Sequence, residues 1–555
     1  MNPGTNQKAY LRIFMAAAPV KGRQPTRAMM RSRIAPILKK MKDSHTVETV
    51  VRPMVLWTGL SRLLPEQYNK FQPVVIESMI FLLQELPVPR LTDKIVDQLA
   101  LPPHADPGSR LSVLVKDMPC VQKLGQVICR TPGLDPEFKQ TLTDLEDNLE
   151  TIVYRQIHPM IAKQLRRLKP GNTVIPDRRI LAEASVCAVV PADIITKGSK
   201  RPIPAVLKVV KPRVRKNLAG DLALLEKLAV FLDERKTNWG MRQFDFSGTL
   251  HQVRSLIENE IDLAAEQTHL IAARRYYQDQ RHIVIPEPLP GSTPEMTVMT
   301  RREGKKITDV AGLTALQKKQ LAETLARVCI LKPIQELREI SIFHGDPHAG
   351  NIAYRFDGDQ PEIIFYDWAM MGRLTRRERF LMAFLAVGLL SAGRRAVFHA
   401  ADLITNGGIS KNPELESPVM ELIDSVITDH SGGARGVLTS IEFFFEELTY
   451  LGVIFPTDLM MYKKAAVTLN GVLADIDPSF DRNGYLLREG AALFLDDLIN
   501  LRFHRAILDE AWILYQHSIE KLLDLQKEIR LTIYRGCSQW LKRSQRTSPR
   551  HFPSH

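Results

Sequence analysis

The sequence predicts an α+β chain, with a small β-containing lobe followed by a large helical lobe and preceded by a helical extension. Three observations carry this reading. IPAVLKVV, Ile203 to Val210, is an apolar, β-favouring run. A second such run, Pro361 to Tyr366, ends at Asp367. Helical apolar spacing dominates elsewhere, as in FQPVVIESMIFLLQEL and in FLMAFLAVGLLSAG, Phe380 to Gly393.

Taken in order, residues 1–42 read as a flexible basic arm. No acidic residue precedes Asp43, while Lys8, Arg12, Lys21 and Arg23 are followed by six more cations up to Lys42. Residues 43–110 are a helical segment closed by a linker at Pro102, Pro103 and Pro107. An extension of helices fills 111–170, and Pro170-Gly171-Asn172 turns the chain into the small lobe, 171–299. The hinge begins at Met299, the helical lobe spans 300–500, and 501–555 is a basic helical tail without carboxylates after Glu528.

Composition narrows the function classes. The chain has 555 residues, 45% hydrophobic, enough for substantial cores in more than one module. Five scattered cysteines (Cys120, Cys129, Cys187, Cys329, Cys537) without a C-x-x-C pair indicate neither a disulfide framework nor a zinc site, and favour a reducing compartment. The formal charge of +13, concentrated at the ends, suits an anionic membrane surface. No nucleic-acid-binding module accompanies it, so no specific nucleic acid is expected. The expected location is cytoplasmic and peripheral to a membrane, because no run reaches about 18 consecutive apolar residues. The arginine-rich start leaves organelle targeting open, although it is poor in serine.

The chemistry concentrates in HGDPHAGN, His344 to Asn351, and FYDWAMMG, Phe365 to Gly372. Phosphoryl transfer of the kinase type asks for little covalent help. It needs Mg²⁺ held by a carboxylate and an amide, and one carboxylate near the nucleophile. Asp346, Asn351 and Asp367 supply those parts in that order, with Asp367 at a strand's end. Lys208 is the one charged side chain of its strand, and period two puts it on the face of Val206 and Val210. In LAEASVCAVVPA, Leu181 to Ala192, small Ala184, Ser185 and Ala188 permit close backbone approach to a ligand. IENEIDLAAEQTHL, Ile257 to Leu270, reads as one helix. On it Glu260 and Glu266 lie about 600° apart and Asp262 about 200° from Glu260, so the three serve different partners. Glu266 is expected to pair with Lys208.

With KLGQ, Lys123 to Gln126, far upstream, the chain resembles the UbiB/AarF family of atypical protein-kinase-like proteins, associated with coenzyme Q biosynthesis. The likeness runs in register through TPGLDPEFKQTLTDLEDN, EASVCAVVPA, PAVLKVV, ENEIDLAAE, VMTRREGKKITD (Val298 to Asp309), HGDPHAGN and FYDWAMMG, covering roughly Leu111 to Gly393. It implies a protein-kinase-like two-lobed fold and ATP as nucleotide, held by the alanine-rich segment (Ala184, Ser185, Ala188), Lys208 and Met299. It assigns Mg²⁺ to Asn351 and Asp367, the catalytic-loop acid to Asp346, and the ion pair to Lys208 and Glu266. It further implies a regulatory contact of Lys123 and Gln126 with Glu260 and Asp262. The extension would block ordinary protein substrates. That favours ATP hydrolysis or an isoprenoid lipid or quinone precursor as acceptor, with biosynthetic enzymes as partners.

Two departures stand out: Asp367-Trp368-Ala369 replaces the family's D-F-G, and Val189, Val190 and Pro191 follow the alanine-rich segment. Two other readings use the same residues. A small-molecule phosphotransferase of the aminoglycoside or choline kinase type also has an H-G-D…N…D arrangement, and a pseudokinase scaffold would bind nucleotide or lipid without turnover.

Overall fold

The computed structural model describes residues 25–498 apart from 117, 119, 122, 125–151, 169–171, 185, 197, 199–200, 243 and 432–435, together with positions 13, 15, 18 and 530. The chain divides into two compact units, Met1–Ala265 with Pro288–Arg301, and Glu266–Glu287 with Arg302–His555.

The first unit joins a helical layer to an antiparallel sheet. Helix α1 (Arg27–Asp43) overturns part of the expected flexible arm. Its charges mask a helical stripe, Met30, Ile34, Leu38 and Met41, which is buried, and Thr26 Oγ1 caps its start by accepting from Met29 N at 3.3 Å. Then come α2 (Glu48–Trp57), α3 (Gln72–Glu85), α4 (Val88–Leu99) and α5 (Pro107–Val115). The proline cluster is a helix start as well as a linker. Pro107 occupies the first turn of α5, where its fixed φ and missing N–H cost nothing, and Asp106 accepts from Ser109 N at 2.9 Å. Leu38, Leu83, Leu91 and Leu114 share one core with Leu228 of α7 (Pro212–Arg235) and Val253 of α8 (Phe246–Ile261).

The sheet of this unit has the order β1 (Thr173–Pro176), β3 (Cys187–Ile195), β4 (Ile203–Val210), β6 (Met296–Thr300), with β2 (Ala182–Glu183) also paired to β3. Helix α6 (Tyr154–Leu165) covers one face, where Ile157 and Ile161 meet Ala188, Val190, Leu207, Val209 and Val298. The long helix expected over Ile257 to Leu270 is two. It breaks at Asp262 (φ −80°, ψ 77°), whose carboxylate accepts from Ala265 N at 2.9 Å and so caps α9 (Leu263–Tyr276). A side-chain cap competing with the backbone ladder is the reason periodicity alone did not show it.

The second unit carries a mixed sheet of order β5 (Ile283–Val284), β10 (Gln360–Phe365), β9 (Ile352–Asp357), β7 (Lys305–Lys306), and a two-stranded ribbon, β8 (Ile340–His344) with β11 (Met371–Thr375). Helices α10 (Ala315–Ala326), α11 (Arg376–Leu390), α12 (Arg394–Ile404), α13 (Pro413–Ser431), α14 (Val437–Tyr450), α15 (Thr457–Ile476) and α16 (Arg482–Leu498) belong to this unit, with a π-helical turn (Arg327–Leu331) and a one-turn helix (Lys332–Gln335) following α10. The apolar run at Phe380 falls in α11 and is buried through Leu381, Leu385 and Leu389, packed against α12, α13 and α14. Thr375 and Glu378 form a reciprocal capping box at its start. Among the described residues no helix is long and apolar enough to cross a membrane.

Burial pushes the Cys120 thiol up to about 12 and the Cys329 thiol higher still. At pH 8 the thiolate fraction of Cys120 is then about one in ten thousand. Native protein is therefore expected to leave both thiols unmodified by iodoacetamide at pH 8, and urea to expose them. Peptide mapping by mass spectrometry reads this directly. Rapid native labelling of Cys120 would show that its segment is not packed as described.

Candidate active site

The candidate residues fall into both units. In the first, Lys208 lies in β4, a strand flanked on both sides, and is 6% exposed. The register places Val189 and Thr297 directly opposite it, and Val206 opposite Met299. Cross-strand partners share a face, so Lys208, Val206, Val210, Val189, Thr297 and Met299 form one surface of the sheet.

Ala188 does not share that surface. Pleat alternation turns its methyl into the core with α6, where it is fully buried, and Val189 takes the position across from Lys208. Ala184 is exposed at the β2–β3 turn and donates its N–H to Cys187 O at 2.9 Å; Ser185 lies outside the described residues. The hairpin is anchored by Glu183, which pairs with Lys211 at 2.6 Å and accepts from Ile152 N at 2.8 Å.

Lys123 is buried, and its ammonium donates to the Glu260 carboxylate near the end of α8. Gln126 lies outside the described residues. Asp262, exposed, is committed to the α9 cap, so the helix break gives the two acids separate tasks. Cys187 Sγ donates to Glu260 O at 3.7 Å, which ties this corner to the start of β3. Leu263, at the first turn of α9, packs with Cys187, Val210 and Val214.

In the second unit two hairpin ends converge. β9 and β10 pair from Asp357–Gln360 back to Ile352–Phe365, and Tyr366 N donates to Asn351 O at 3.0 Å. That bond sets Asn351 across from Tyr366, next to Asp367. β8 pairs with β11, His344 opposite Met371, and Gly345 N donates to Met370 O at 2.9 Å. Glycine at 345 permits this close approach: a Cβ would come within 2.7 Å of Met461 Sδ and 3.1 Å of Met370 O. These pairings bring the His344–Asn351 loop beside the Asp367–Met370 segment.

Backbone bonds hold the loop. Asp346 N donates to His344 Nδ1 at 3.2 Å, while Asp346 O accepts from His348 N at 2.9 Å and from Asn351 Nδ2 at 3.1 Å. Because the Asn351 amide nitrogen faces that carbonyl, its Oδ1 is directed the other way, available as a ligand atom. The Asp346 carboxylate is buried, with His348 Nε2 at 3.9 Å from Oδ2. Burial lowers the pKa of His344, against the opposing pull of the Asp346 and Asp367 carboxylates.

Asp367 Oδ1 accepts from Ala369 N at 2.9 Å. Trp368, in the place of the expected phenylalanine, is fully buried, with ring centroids of His344 at 4.9 Å, Phe365 at 6.2 Å and Tyr277 at 6.3 Å. Glu266 is buried on α9, and three residues later His269 Nδ1 donates to Trp368 O at 2.9 Å. Sequence reasoning did not single out His269. Its i+3 spacing from Glu266 was the available signal.

An amide oxygen and a carboxylate form a hard-oxygen donor pair suited to Mg²⁺, and the buried lysine of β4 suits a phosphate. Residues 144–401 match the family described as ABC1 atypical kinase-like domain. The chain is 24% identical over 391 residues to a probable protein kinase UbiB of Xanthomonas campestris pv. campestris strain B100, covering 67% of this chain and 68% of that one. It is 26% identical over 412 residues to a probable protein kinase UbiB of Cellvibrio japonicus strain Ueda107, covering 72% and 71%. Among solved structures, the complex of Rv3197 with erythromycin from Mycobacterium tuberculosis aligns with a TM-score of 0.42 at 15% identity, over 66% of this chain and 91% of that one.

Proposed function

We propose that this chain, whose residues 144–401 match the ABC1 atypical kinase-like domain, binds ATP with Mg²⁺ and cleaves the γ-phosphoryl bond. The observation that carries the reading is the convergence of Asp346, Asn351 and Asp367 on adjacent ends of the β8–β11 and β9–β10 pairings. Asn351 Oδ1 and the Asp367 carboxylate would hold Mg²⁺, whose chemistry there is neutralisation of charge on the β- and γ-phosphates. The Asp346 carboxylate accepts the proton of the attacking hydroxyl or water. Lys208 offers a preorganised ammonium to the phosphates, and Met299, on the same sheet face, an apolar contact for the base. In this reading Glu266, buried on α9, would be the acid of the kinase-type ion pair.

The relatives named as UbiB support a role in isoprenoid-quinone metabolism. The acceptor we favour is an isoprenoid lipid or quinone precursor, or water alone. The basic ends fit work at an anionic membrane, with biosynthetic enzymes as partners.

Thermal unfolding of wild type and Asp367→Asn with ATP, with and without Mg²⁺, tests the reading. Ligand at about 100 times its Kd should stabilise the wild type by about 2.7 kcal/mol. The Mg²⁺-dependent part should vanish in Asp367→Asn. Absence of any stabilisation in folded wild type would overturn the nucleotide site.

A further inference from the structure

We propose that His269 is a positioning residue for the Asp367 carboxylate, acting through a single peptide group. The inference rests on the metal role proposed for Asp367. The Trp368–Ala369 peptide is engaged at both ends: its carbonyl accepts from His269 Nδ1 at 2.9 Å, and its N–H donates to Asp367 Oδ1 at 2.9 Å. A trans peptide is planar, and its C=O and N–H point in opposite directions. Fixing the oxygen therefore fixes the direction of the N–H, and with it the rotamer of the carboxylate that receives it. The two bonds also polarise one another, as consecutive hydrogen bonds through one amide do.

The bond is separable from packing. The Trp368 ring is enclosed by Tyr277, Phe365 and His344 whether or not His269 donates. Losing the donor would free the peptide plane rather than the side chain. Ala369 strengthens the point, because its Cβ keeps it out of the left-handed region that glycine would open, and no positive φ occurs there. What the D-F-G glycine would leave mobile is here closed by alanine on one side and His269 on the other. Since His269 sits on α9 one turn beyond Glu266, any shift of that helix would reach the Asp367 carboxylate through this bond.

The experiment compares full-length wild type with His269→Leu, which removes the donor, and His269→Asn, whose amide nitrogen replaces Nδ1. Amide hydrogen exchange is read for the peptide spanning residues 365–371, and the Mg²⁺ dependence of ATP binding by calorimetry. His269→Leu should exchange about tenfold faster at this peptide and need about tenfold more Mg²⁺ for the same ATP affinity. ATP binding without Mg²⁺ should not change, and His269→Asn should restore both readouts to within about threefold. Should the leucine variant fail to fold, His269→Gln, with its donor one bond further out, replaces it. Unchanged exchange in a folded donor-less variant overturns the proposal. If the wild type itself shows no Mg²⁺-dependent ATP binding, the proposed function fails while exchange alone still decides the role of His269: acceleration with rescue upholds it, and no acceleration overturns it.

Discussion

Asp346→Asn is expected to lower turnover by about 10²- to 10⁴-fold, the range of a positioned general base, and to leave ATP affinity within about threefold of wild type. The separation follows from how the loop is held. Asp346 N bonds to His344 Nδ1, and Asp346 O receives His348 N and Asn351 Nδ2. Those bonds belong to the main chain of residue 346, so the asparagine inherits them and the Asn351 amide keeps its orientation. Only the proton acceptor is lost. Steady-state phosphate release, paired with calorimetric ATP binding, reads both quantities. Undiminished release would remove Asp346 from the chemistry, whereas loss of binding as well would show that its carboxylate supports the loop.

The second large effect is on stability and is asymmetric. The Lys123 side chain is 5% exposed and that of Glu260 19%. Removing the acid takes an anion away from the more deeply buried charge. Glu260→Ala should therefore destabilise the first unit by about 3 kcal/mol, the low end of the cost of breaking a buried pair. Lys123→Met keeps the aliphatic stem packed and leaves a carboxylate that can still reach water, so about 1–2 kcal/mol is expected. The double replacement should cost less than the sum. Pulse proteolysis across a urea series measures all three. A larger loss in Lys123→Met than in Glu260→Ala would contradict this assignment of burial.

Much of the site was legible because its residues are local in sequence. Asp346 and Asn351 share one loop, Asp367 ends a short apolar run, and a central strand buried on both faces reads as an unbroken apolar stretch, as IPAVLKVV does. Its predicted limits, Ile203 to Val210, coincide with β4. What escaped depends on contacts distant in the chain. β8 and β11 pair across some thirty residues, with Gly372 so close under the Phe343 ring that a Cβ would lie 2.0 Å from it. No local pattern specifies such a register. Ala188 was chosen for its size, but its face is set by pleat parity relative to Lys208, which becomes known only with the β3–β4 register. Asp262 looked like one more acid on a helix because capping and helix interior draw on the same residue types. Helix α1 was obscured by cations that lie mostly outside its buried stripe.

The β9–β10 hairpin has a bearing on how the gene can vary. Its turn is the pair Gly358-Asp359, with Gly358 at φ +60° and Asp357 facing Gln360, while Asn351 and Tyr366 meet at the opposite end. Lengthening the turn leaves the far end in register, so a peptide tag or a small inserted module at 358–359 should be carried with the placement of Asn351 beside Asp367 intact. A single residue inserted within either strand would invert every side chain beyond it and part Asn351 from Asp367. The same few residues thus hold the most permissive and the least permissive sites for insertion in this unit.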